Sequence, residues 1–333
     1  MFSILFASFF VACDSDKGSD TGAINDTSGA QTDGCGVTID DHYPAAGSTD
    51  MYYRGTMVFE LSDDDPTASL ALMSSDGTDV AGDLSVDGDT LYFTPSAPLT
   101  PSTTYKAVLT YCGSPDPVEV EFTTSALGAA VDGGNEALLG KTYALDLGSG
   151  NFVQPAGVGD LIGGLLENNI LIGVTSVEGG VLQVRGAISE TGNTNQDMCT
   201  ETLEEFPTAD FSASPFFEIN APSGISLSIQ DTDVSLDSIR VSGTFAADGS
   251  YFGGAEVEAE LDVAKLAPLL ADLIESDDPA EACALLLGFG VQCEECAQTG
   301  EPYCITLEVN QLVAEETGAE LTLVTADDVA ACE

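Results

Sequence analysis

Residues 91–110, "LYFTPSAPLTPSTTYKAVLT", consist of two runs of alternating apolar and polar residues on either side of a segment rich in Pro, Ser and Thr. Alternation over about six positions is typical of a β-strand with one buried face. Pro donates no ladder hydrogen bond, and Pro and Ser favour turns, so the central segment predicts a turn. The stretch therefore predicts two β-strands with a connection between them.

The same pattern extends over residues 35–125. Other short apolar or alternating runs are "GVTID", "TMVFEL", "SLALMS" and "VEVEFTT", and Asp-Gly turn signals lie in "SSDGTD" and "SVDGDT". Six or seven strands in about ninety residues is the density of an immunoglobulin-like β-sandwich.

Short motifs in this segment carry a more specific signal. They are an early P-x-x-G, a later F-x-P followed by P-L and T-x-Y, and a closing F-x-T. The residues are Pro44 and Gly47, Phe93 and Pro95, Pro98 and Leu99, Thr103 and Tyr105, and Phe122 and Thr124. With these motifs the segment resembles the bacterial Ig-like domain family named after the surface-layer protein SbsA. The resemblance implies a spacer or binding module without chemistry of its own.

Two cysteines depart from the family pattern. In a sandwich of this kind the penultimate strand runs opposite to the first, so the end of one lies near the start of the other. We therefore expect Cys35 and Cys112 to form a disulfide. Tyr105 occupies the place of a tyrosine corner, in which the hydroxyl bonds back to the backbone.

The first twelve residues, "MFSILFASFFVA", carry no charge and precede Cys13. The run is shorter than the roughly 20 apolar residues of a membrane-spanning helix, and it suits a signal-peptide core. Residues 10–13, "FVAC", resemble a bacterial lipobox, whose cysteine receives a diacylglycerol. We expect a lipoprotein signal peptide at 1–12, a lipid anchor at Cys13, and a place in the bacterial cell envelope, either periplasmic or on the outer surface.

Residues 13–34 predict an acidic, flexible tether. After Cys13 they contain five Asp, one Lys and a single aliphatic side chain larger than Ala, Ile24. A segment with so few apolar groups buries too little surface to offset its ordering entropy. We expect it to hold the folded part away from the membrane.

Acidic residues dominate the chain, with 56 Asp plus Glu against seven Lys plus Arg and a net charge of −49. Because 44% of the residues are hydrophobic, the acids belong to the surface of folded domains and not to general disorder. The sequence contains no basic patch, which argues against nucleic-acid partners. Two explanations of the negative charge are open. Adaptation of the surface to saline surroundings is the simpler one, and use of the acids as cation ligands is the more specific one.

Residues 136–333 predict a second, β-rich α+β domain, so that the chain is mainly β. Runs such as "KTYALDL" and "AEVEAELDV" predict strands, and helical periodicity appears at 157–170, 263–276 and 278–290. Asp278 before Pro279 is a helix-start signal. We expect an antiparallel sheet with a few short helices over one side or end. The segment resembles the uncharacterised C-terminal domain of predicted lipoproteins with Ig-like modules, and weakly resembles small β-barrels that hold apolar ligands.

Eight cysteines remain if Cys13 carries a lipid, an even number that predicts disulfides in an exported chain. The C-x-x-C of Cys293 and Cys296 also fits a zinc site with Cys283 and Cys304, or a redox pair. The lack of a second C-x-x-C and the two acids inside the motif favour disulfides. The candidates are Cys35, Cys112, Cys199, Cys283, Cys293, Cys296, Cys304 and Cys332.

The sequence contains no G-x-S-x-G, H-E-x-x-H or P-loop motif, and its one histidine, His42, is expected in an exposed loop. We expect no catalytic residue, metal or cofactor. The leading hypothesis is a non-catalytic envelope lipoprotein whose Ig-like spacer presents a binding or structural domain to an envelope polymer or another surface protein. The alternatives are a carrier of a small apolar ligand in a barrel-like pocket and, less favoured, a carboxylate-based hydrolase.

We predict that Cys13 is the site of lipid attachment. A bacterial host that expresses the full chain and is fed radiolabelled palmitate is expected to label the wild-type protein and the control Asp14→Asn. Cys13→Ser is expected to lose the label, because the thiol is the acceptor of the diacylglycerol. Equal labelling of Cys13→Ser and wild type contradicts the prediction.

Overall fold

The computed structural model describes residues 35–155, 168–202, 207–221, 225–229, 232–274 and 276–332. The predicted signal peptide 1–12, the tether 13–34 and Cys13 lie outside the described residues, as does most of the helix predicted at 157–170.

The N-terminal part is a sandwich of two antiparallel four-stranded sheets. In spatial order the sheets are β1-β2-β6-β5 and β4-β3-β7-β8. Side chains of both sheets, such as Phe59 and Phe122, share one apolar core. The strands are β1 (Ile39–Tyr43), β2 (Met57–Leu61), β3 (Ser69–Ser74), β4 (Asp79–Val80), β5 (Gly82–Asp87), β6 (Thr90–Pro95), β7 (Thr104–Thr110) and β8 (Val118–Thr123).

A disulfide and several hydrogen bonds hold the ends of the sandwich strands. A disulfide joins Cys35 to Cys112, with their Cα atoms 5.6 Å apart. The Tyr105 hydroxyl accepts a hydrogen bond from the Thr100 backbone N–H at 2.9 Å, which is the contact expected of a tyrosine corner. The buried Asp65 accepts from its neighbour Thr67 and from the Cys112 N–H at 2.7 Å, and these bonds hold its carboxyl pKa below the ordinary value.

The C-terminal part is one sheet that closes on itself. Eight of the described strands pair, all antiparallel, in the order β9-β11-β12-β13-β14-β16-β17-β18, and β18 pairs back with β9 to complete a barrel. β10 continues along β18, and β15 pairs with β16. The strands are β9 (Thr142–Leu145), β10 (Asn151–Gln154), β11 (Ile170–Glu178), β12 (Val181–Ile188), β13 (Ala209–Asp210), β14 (Phe216–Ala221), β15 (Ile225–Ile229), β16 (Thr232–Phe245), β17 (Tyr251–Asp262) and β18 (Cys304–Glu316).

Aromatic rings pack inside the barrel, where alternate side chains of its strands point inward. An eight-stranded barrel is just wide enough for side chains to fill or for one small ligand. Neighbouring rings in this group have centroids 5.0–5.9 Å apart. The rings are those of Tyr143, Phe211, Phe217, Phe245 and Phe252.

Two helices add to the barrel core. They are α1 (Val263–Ile274) and α2 (Pro279–Gly288), and a third short helix is α3 (Ala326–Val329). Buried residues of α1 and α2, such as Ala267 and Leu286, belong to the same apolar cluster as the barrel strands. Asp278 caps α2 by accepting from the Ala280 N–H at 2.9 Å, as its position before Pro279 predicts. No helix in the described part of the chain is long and apolar enough to cross a membrane.

Some predicted boundaries are wrong. Ile170, expected to end a helix, begins β11. Val263, which the patterns place both at the end of a strand and at the start of a helix, begins α1, as the helical pattern predicts. Both residues are apolar and buried or partly buried, so they fit either periodicity. The mainly β class is confirmed.

Three further disulfides bind the C-terminal part together. Cys199 joins Cys332, Cys283 joins Cys293, and Cys296 joins Cys304. The four sulfurs weighed as zinc ligands thus lie in two disulfides, and zinc takes cysteine as a thiolate. The last two bridges connect α2 and the loop that follows it to the start of β18.

We predict that the double substitution Cys35→Ser/Cys112→Ser destabilises the sandwich strongly. The bridge spans a separation of 77 residues, for which the chain-entropy model gives about 4.5 kcal/mol. Urea unfolding of the full chain without reductant measures the loss. Cys283→Ser/Cys293→Ser, which opens a loop of separation 10, is expected to cost less. An unchanged unfolding midpoint for Cys35→Ser/Cys112→Ser contradicts the prediction.

Candidate binding surface beside the domain contact

A loop of the Ig-like sandwich, "MYYRG" at residues 51–55, contacts the outside of the barrel. The Tyr52 hydroxyl lies 2.8 Å from the hydroxyl of Thr244 on β16. The Arg54 guanidinium lies 3.8 Å from the centre of the Phe216 ring on β14, a cation–π contact. We call this contact the joint; it consists of Tyr52, Tyr53 and Arg54 against Phe216, Thr244 and Gly254.

Strand β17 is shaped to receive the ring of Tyr52. Its register with β18 shifts between Phe252 and Ala255, which marks a bulge, and Gly254 within it has a φ of 56°. A Cβ at Gly254 would overlap the Tyr52 ring. Glycine is therefore required there both for the backbone conformation and for the close approach of the ring.

The two domains also share buried apolar and backbone contacts. Ala246 and Tyr251 of the barrel pack in the same cluster as Tyr53 of the sandwich. The Asp132 N–H, in the connecting segment, donates to the Ala247 carbonyl at 2.7 Å. These contacts and the joint fix the orientation of the sandwich on the barrel.

Next to the joint, the outward side chains of β14, β16 and β17 form a polar row across the barrel wall. Ser242 on β16 pairs in register with Glu218 on one side and with Glu256 on the other. Directly opposed residues of antiparallel strands have Cβ atoms about 4.5–5.5 Å apart. We call this row, Glu218, Ser242 and Glu256, the acidic step.

Arg240, in the following row, binds two of the surrounding carboxylates. Its guanidinium lies 3.0 Å from Glu218 and 2.7 Å from Glu258. Glu218 also accepts from the Asn220 side-chain amide at 2.8 Å. The hydrogen bond from Asn220, together with Arg240, lowers the pKa of Glu218. Two of the acids on this surface are thus neutralised by specific contacts.

Of the three glutamates paired with Arg240, Glu256 lies farthest from its guanidinium. Its carboxylate lies 4.0 Å from the guanidinium, and among the described residues it accepts no hydrogen bond. Burial raises the pKa of Glu256, and the charges of Glu258 and Glu308 raise it further, whereas Arg240 lowers it. Burial also raises the pKa of the neighbouring Tyr52 to about 12, so its phenol stays protonated at neutral pH.

The other groups singled out from the sequence lie apart from this surface. Lys141 pairs with Glu316 at 3.8 Å. Within the described ranges the buried Nε of Arg185 has no hydrogen-bond partner. His42 lies in β1 and stacks on Phe59 at 5.3 Å between ring centroids, so the expectation of an exposed loop residue is wrong.

A group of possible metal ligands also lies elsewhere. Among the described residues, the one set of three converging ligand atoms comes from Glu260, Cys296 and Cys304. Its two sulfurs are joined in a disulfide, so they offer no thiolate. The Glu260 carboxylate accepts instead from the Ala297 N–H at 2.9 Å.

Sequence reasoning missed both the joint and the acidic step. "MYYRG" places two tyrosines beside one of only seven basic residues, which was a usable signal. The alternation in "AEVEAELDV" predicts that Glu256, Glu258 and Glu260 share one face of a strand. Nothing local in the sequence shows that Arg240 lies beside them, because that contact depends on strand order.

Residues 33–124 match the family of bacterial Ig-like domains. This segment is an Ig-like domain. The match supports the Ig-like sandwich that the motifs predict. No curated protein matches the chain.

Similar solved structures include three L,D-transpeptidases, all with low scores. L,D-transpeptidase 3 from Mycobacterium tuberculosis is 14% identical, with 27% of this chain and 38% of that chain covered and a TM-score of 0.20. The enzyme from Mycobacterium smegmatis is 15% identical, with 61% and 75% covered and a TM-score of 0.22. L,D-transpeptidase 1 from M. tuberculosis is 12% identical, with 48% and 88% covered and a TM-score of 0.23. The chain spans less than two fifths of the first of these proteins, and superpositions this poor carry no information on activity.

We predict that Glu256→Gln stabilises the protein at pH 7. The folded-state pKa of Glu256 is raised above its ordinary value of 4.5, so ionisation costs stability as the pH rises from 4.5 through the folded pKa. Because the side chain stays partly exposed, we expect a gain of at most about 1 kcal/mol at pH 7 and none at pH 3. Urea unfolding of wild type and variant at both pH values measures this difference in the free energy of unfolding.

The control for this prediction is Glu121→Gln on β8, an exposed site where the same charge is removed. It is expected to give a smaller gain at pH 7. A destabilised Glu256→Gln variant at pH 7, or a gain that persists at pH 3, contradicts the assignment of an unfavourable carboxylate.

Proposed function

We propose that the protein is a non-catalytic cell-envelope lipoprotein that presents its C-terminal barrel on an Ig-like spacer. A lipid at Cys13 and the tether 13–34 attach it to a bacterial membrane. The barrel then faces an envelope polymer or another surface protein. The observation that carries the proposal is the joint. A spacer domain holds a second domain in a defined position only if the connection between the two domains is rigid.

The disulfides support a place outside the cytoplasm. Four bridges pair all eight cysteines of the described residues. Disulfides persist in oxidising compartments such as the periplasm and the cell surface. This agrees with a signal peptide and a lipidated Cys13.

The contacts of the acids argue against the hydrolase alternative. A glycosidase uses a protonated carboxyl beside a second, available carboxylate. Burial raises the pKa of Glu256 above its ordinary value. Its neighbours Glu218 and Glu258, however, are both bound by Arg240 at 3.0 Å or less. Two of the carboxylates around Glu256 are therefore engaged by Arg240 and not available for nucleophilic or base chemistry.

A carrier of a small apolar ligand is the second candidate function, and closure of the sheet into a barrel favours it. The barrel centre, however, is occupied by rings such as Tyr143, Phe217 and Phe252, all of them fully buried. Packing of this kind is typical of a structural core. We therefore place the binding role on the outside of the barrel.

We predict that weakening the joint loosens the spacer. Spin labels at the exposed Ser85 and Thr306, introduced as non-canonical residues so that the cysteines stay paired, report the distance between sandwich and barrel. The full-length wild type is expected to give one narrow distance distribution. Tyr52→Ala, which removes the ring, and Gly254→Ala, whose Cβ displaces it, are expected to broaden it.

Tyr92→Ala is the matched control, since Tyr92 on β6 is a partly buried tyrosine with no part in the joint. It is expected to leave the distribution narrow. A broad distribution in the wild type, or identical distributions in Tyr52→Ala and wild type, rejects the rigid spacer.

A further inference from the structure

The acidic step contains one carboxylate that the protein itself leaves without a close partner. Glu218 is satisfied by Arg240 and Asn220, and Glu258 is satisfied by Arg240. Glu256 has the 4.0 Å contact with Arg240 alone, although its side chain is only 34% exposed. A half-buried carboxylate loses part of its hydration and gains most from a cation that approaches it directly.

Ser242 provides a second, independent sign of a ligand. The residue is 5% exposed, and its hydroxyl has no hydrogen-bond partner among the described residues. Its neighbours Val241 and Gly243 face the barrel core, so by alternation the Ser242 side chain points outward, between Glu218 and Glu256. The hydroxyl oxygen is not among the fully buried unpaired atoms of the described residues, so it stays accessible to a hydrogen-bond donor that approaches the acidic step.

The spacing of the acids selects the kind of cation. Glu218 and Glu256 lie on opposite sides of β16, so their backbones are about 10 Å apart, two strand spacings. Within the described residues, no three carboxylates of this surface bring their oxygens within 4.8 Å of one another. Calcium takes six to eight oxygen ligands at about 2.3–2.6 Å, which this row does not assemble.

We propose that the acidic step binds an alkylammonium group, held by the Glu256 carboxylate and the Ser242 hydroxyl. An ammonium has three N–H donors on a single compact charge, so one nitrogen can serve both acceptors. Glu218, Glu258 and Glu308 add negative potential around it. Tyr52 in the joint forms the wall on one side, against which the alkyl part of the ligand lies.

This inference rests on the proposed binding role and names the chemistry of its partner. An alkylammonium group reaches the surface either as a lysine side chain of a partner protein or as a free primary amine. The two sources share the same contacts with Glu256 and Ser242, and the experiment has one arm for each.

The experiment is calorimetric titration of the full chain at fixed ionic strength with three probes. They are an acetylated tetralysine amide, n-butylammonium chloride and calcium chloride. We expect Glu256→Gln to weaken binding of an ammonium probe about tenfold and Ser242→Ala to weaken it about threefold, as expected for a charged and a neutral hydrogen bond. Binding of tetralysine without binding of n-butylammonium identifies a lysine-bearing polypeptide as the partner. Binding of both ammonium probes shows that a free primary amine is sufficient.

Glu121→Gln is the charge-matched control, and it is expected to change the affinity less than about twofold. Equal losses in Glu121→Gln and Glu256→Gln show diffuse attraction to an acidic protein and overturn the proposal. Calcium binding that depends on Glu256 and displaces tetralysine also overturns it, in favour of a metal site. The spacer role is judged separately, by the distance distribution between Ser85 and Thr306.

Discussion

The packing of the Tyr52 ring on Gly254 couples the two halves of the molecule. The ring reaches the strand because Gly254 has no side chain and adopts a left-handed conformation within a bulge. Once seated, Tyr52 shares a hydroxyl contact with the buried Thr244. Arg54, two residues further on, is thereby placed over Phe216. One close backbone approach thus sets the position of every other contact in the joint.

Several of the few positively charged residues pair with acids or lie where the two domains meet. Arg240 holds two glutamates on the barrel wall, and Arg54 lies in the joint. Lys106 pairs with Glu119 across two sandwich strands at 2.8 Å. An isolated surface ion pair contributes little to stability. In a chain of net charge −49, however, each cation also lowers the repulsion among many neighbouring acids.

The features that could be predicted from the sequence are local ones. Alternation located most sandwich strands, and the cap of α2 followed from Asp278 and Pro279. Tyr105 was placed by its motif. Closure of the barrel was not predictable in this way, because it pairs β9 with β18, and Leu145 with Ala314 in particular, across most of the domain. Such pairing depends on strand order, which periodicity does not encode.

Two local sequence patterns differ from the structure for a common physical reason. The Gly-Gly in "ADGSYFGG" is a turn signal, yet Gly253 and Gly254 lie within β17, where the strand has its bulge under Tyr52. Strand β14 was missed because its short run lies between Pro215 and Pro222 and resembles a loop. In both places glycine or proline meets a tertiary requirement, and the same residues in isolation favour turns. Both places also border the joint or the acidic step, where function is proposed.

The joint and the acidic step are adjacent rows of the same barrel wall, and this adjacency couples them. Tyr52 belongs to the joint and also forms one side of the surface around Glu256. Burial raises the Tyr52 pKa, and the Glu256 charge raises it further. A cation at Glu256 that contacts the Tyr52 ring therefore binds more tightly when the ring is seated on Gly254. By linkage, the same cation stabilises the seated arrangement by an equal free energy. A partner bound at the step would thus stiffen the spacer that presents it, and a loosened joint would weaken binding without any change to Glu256 or Ser242.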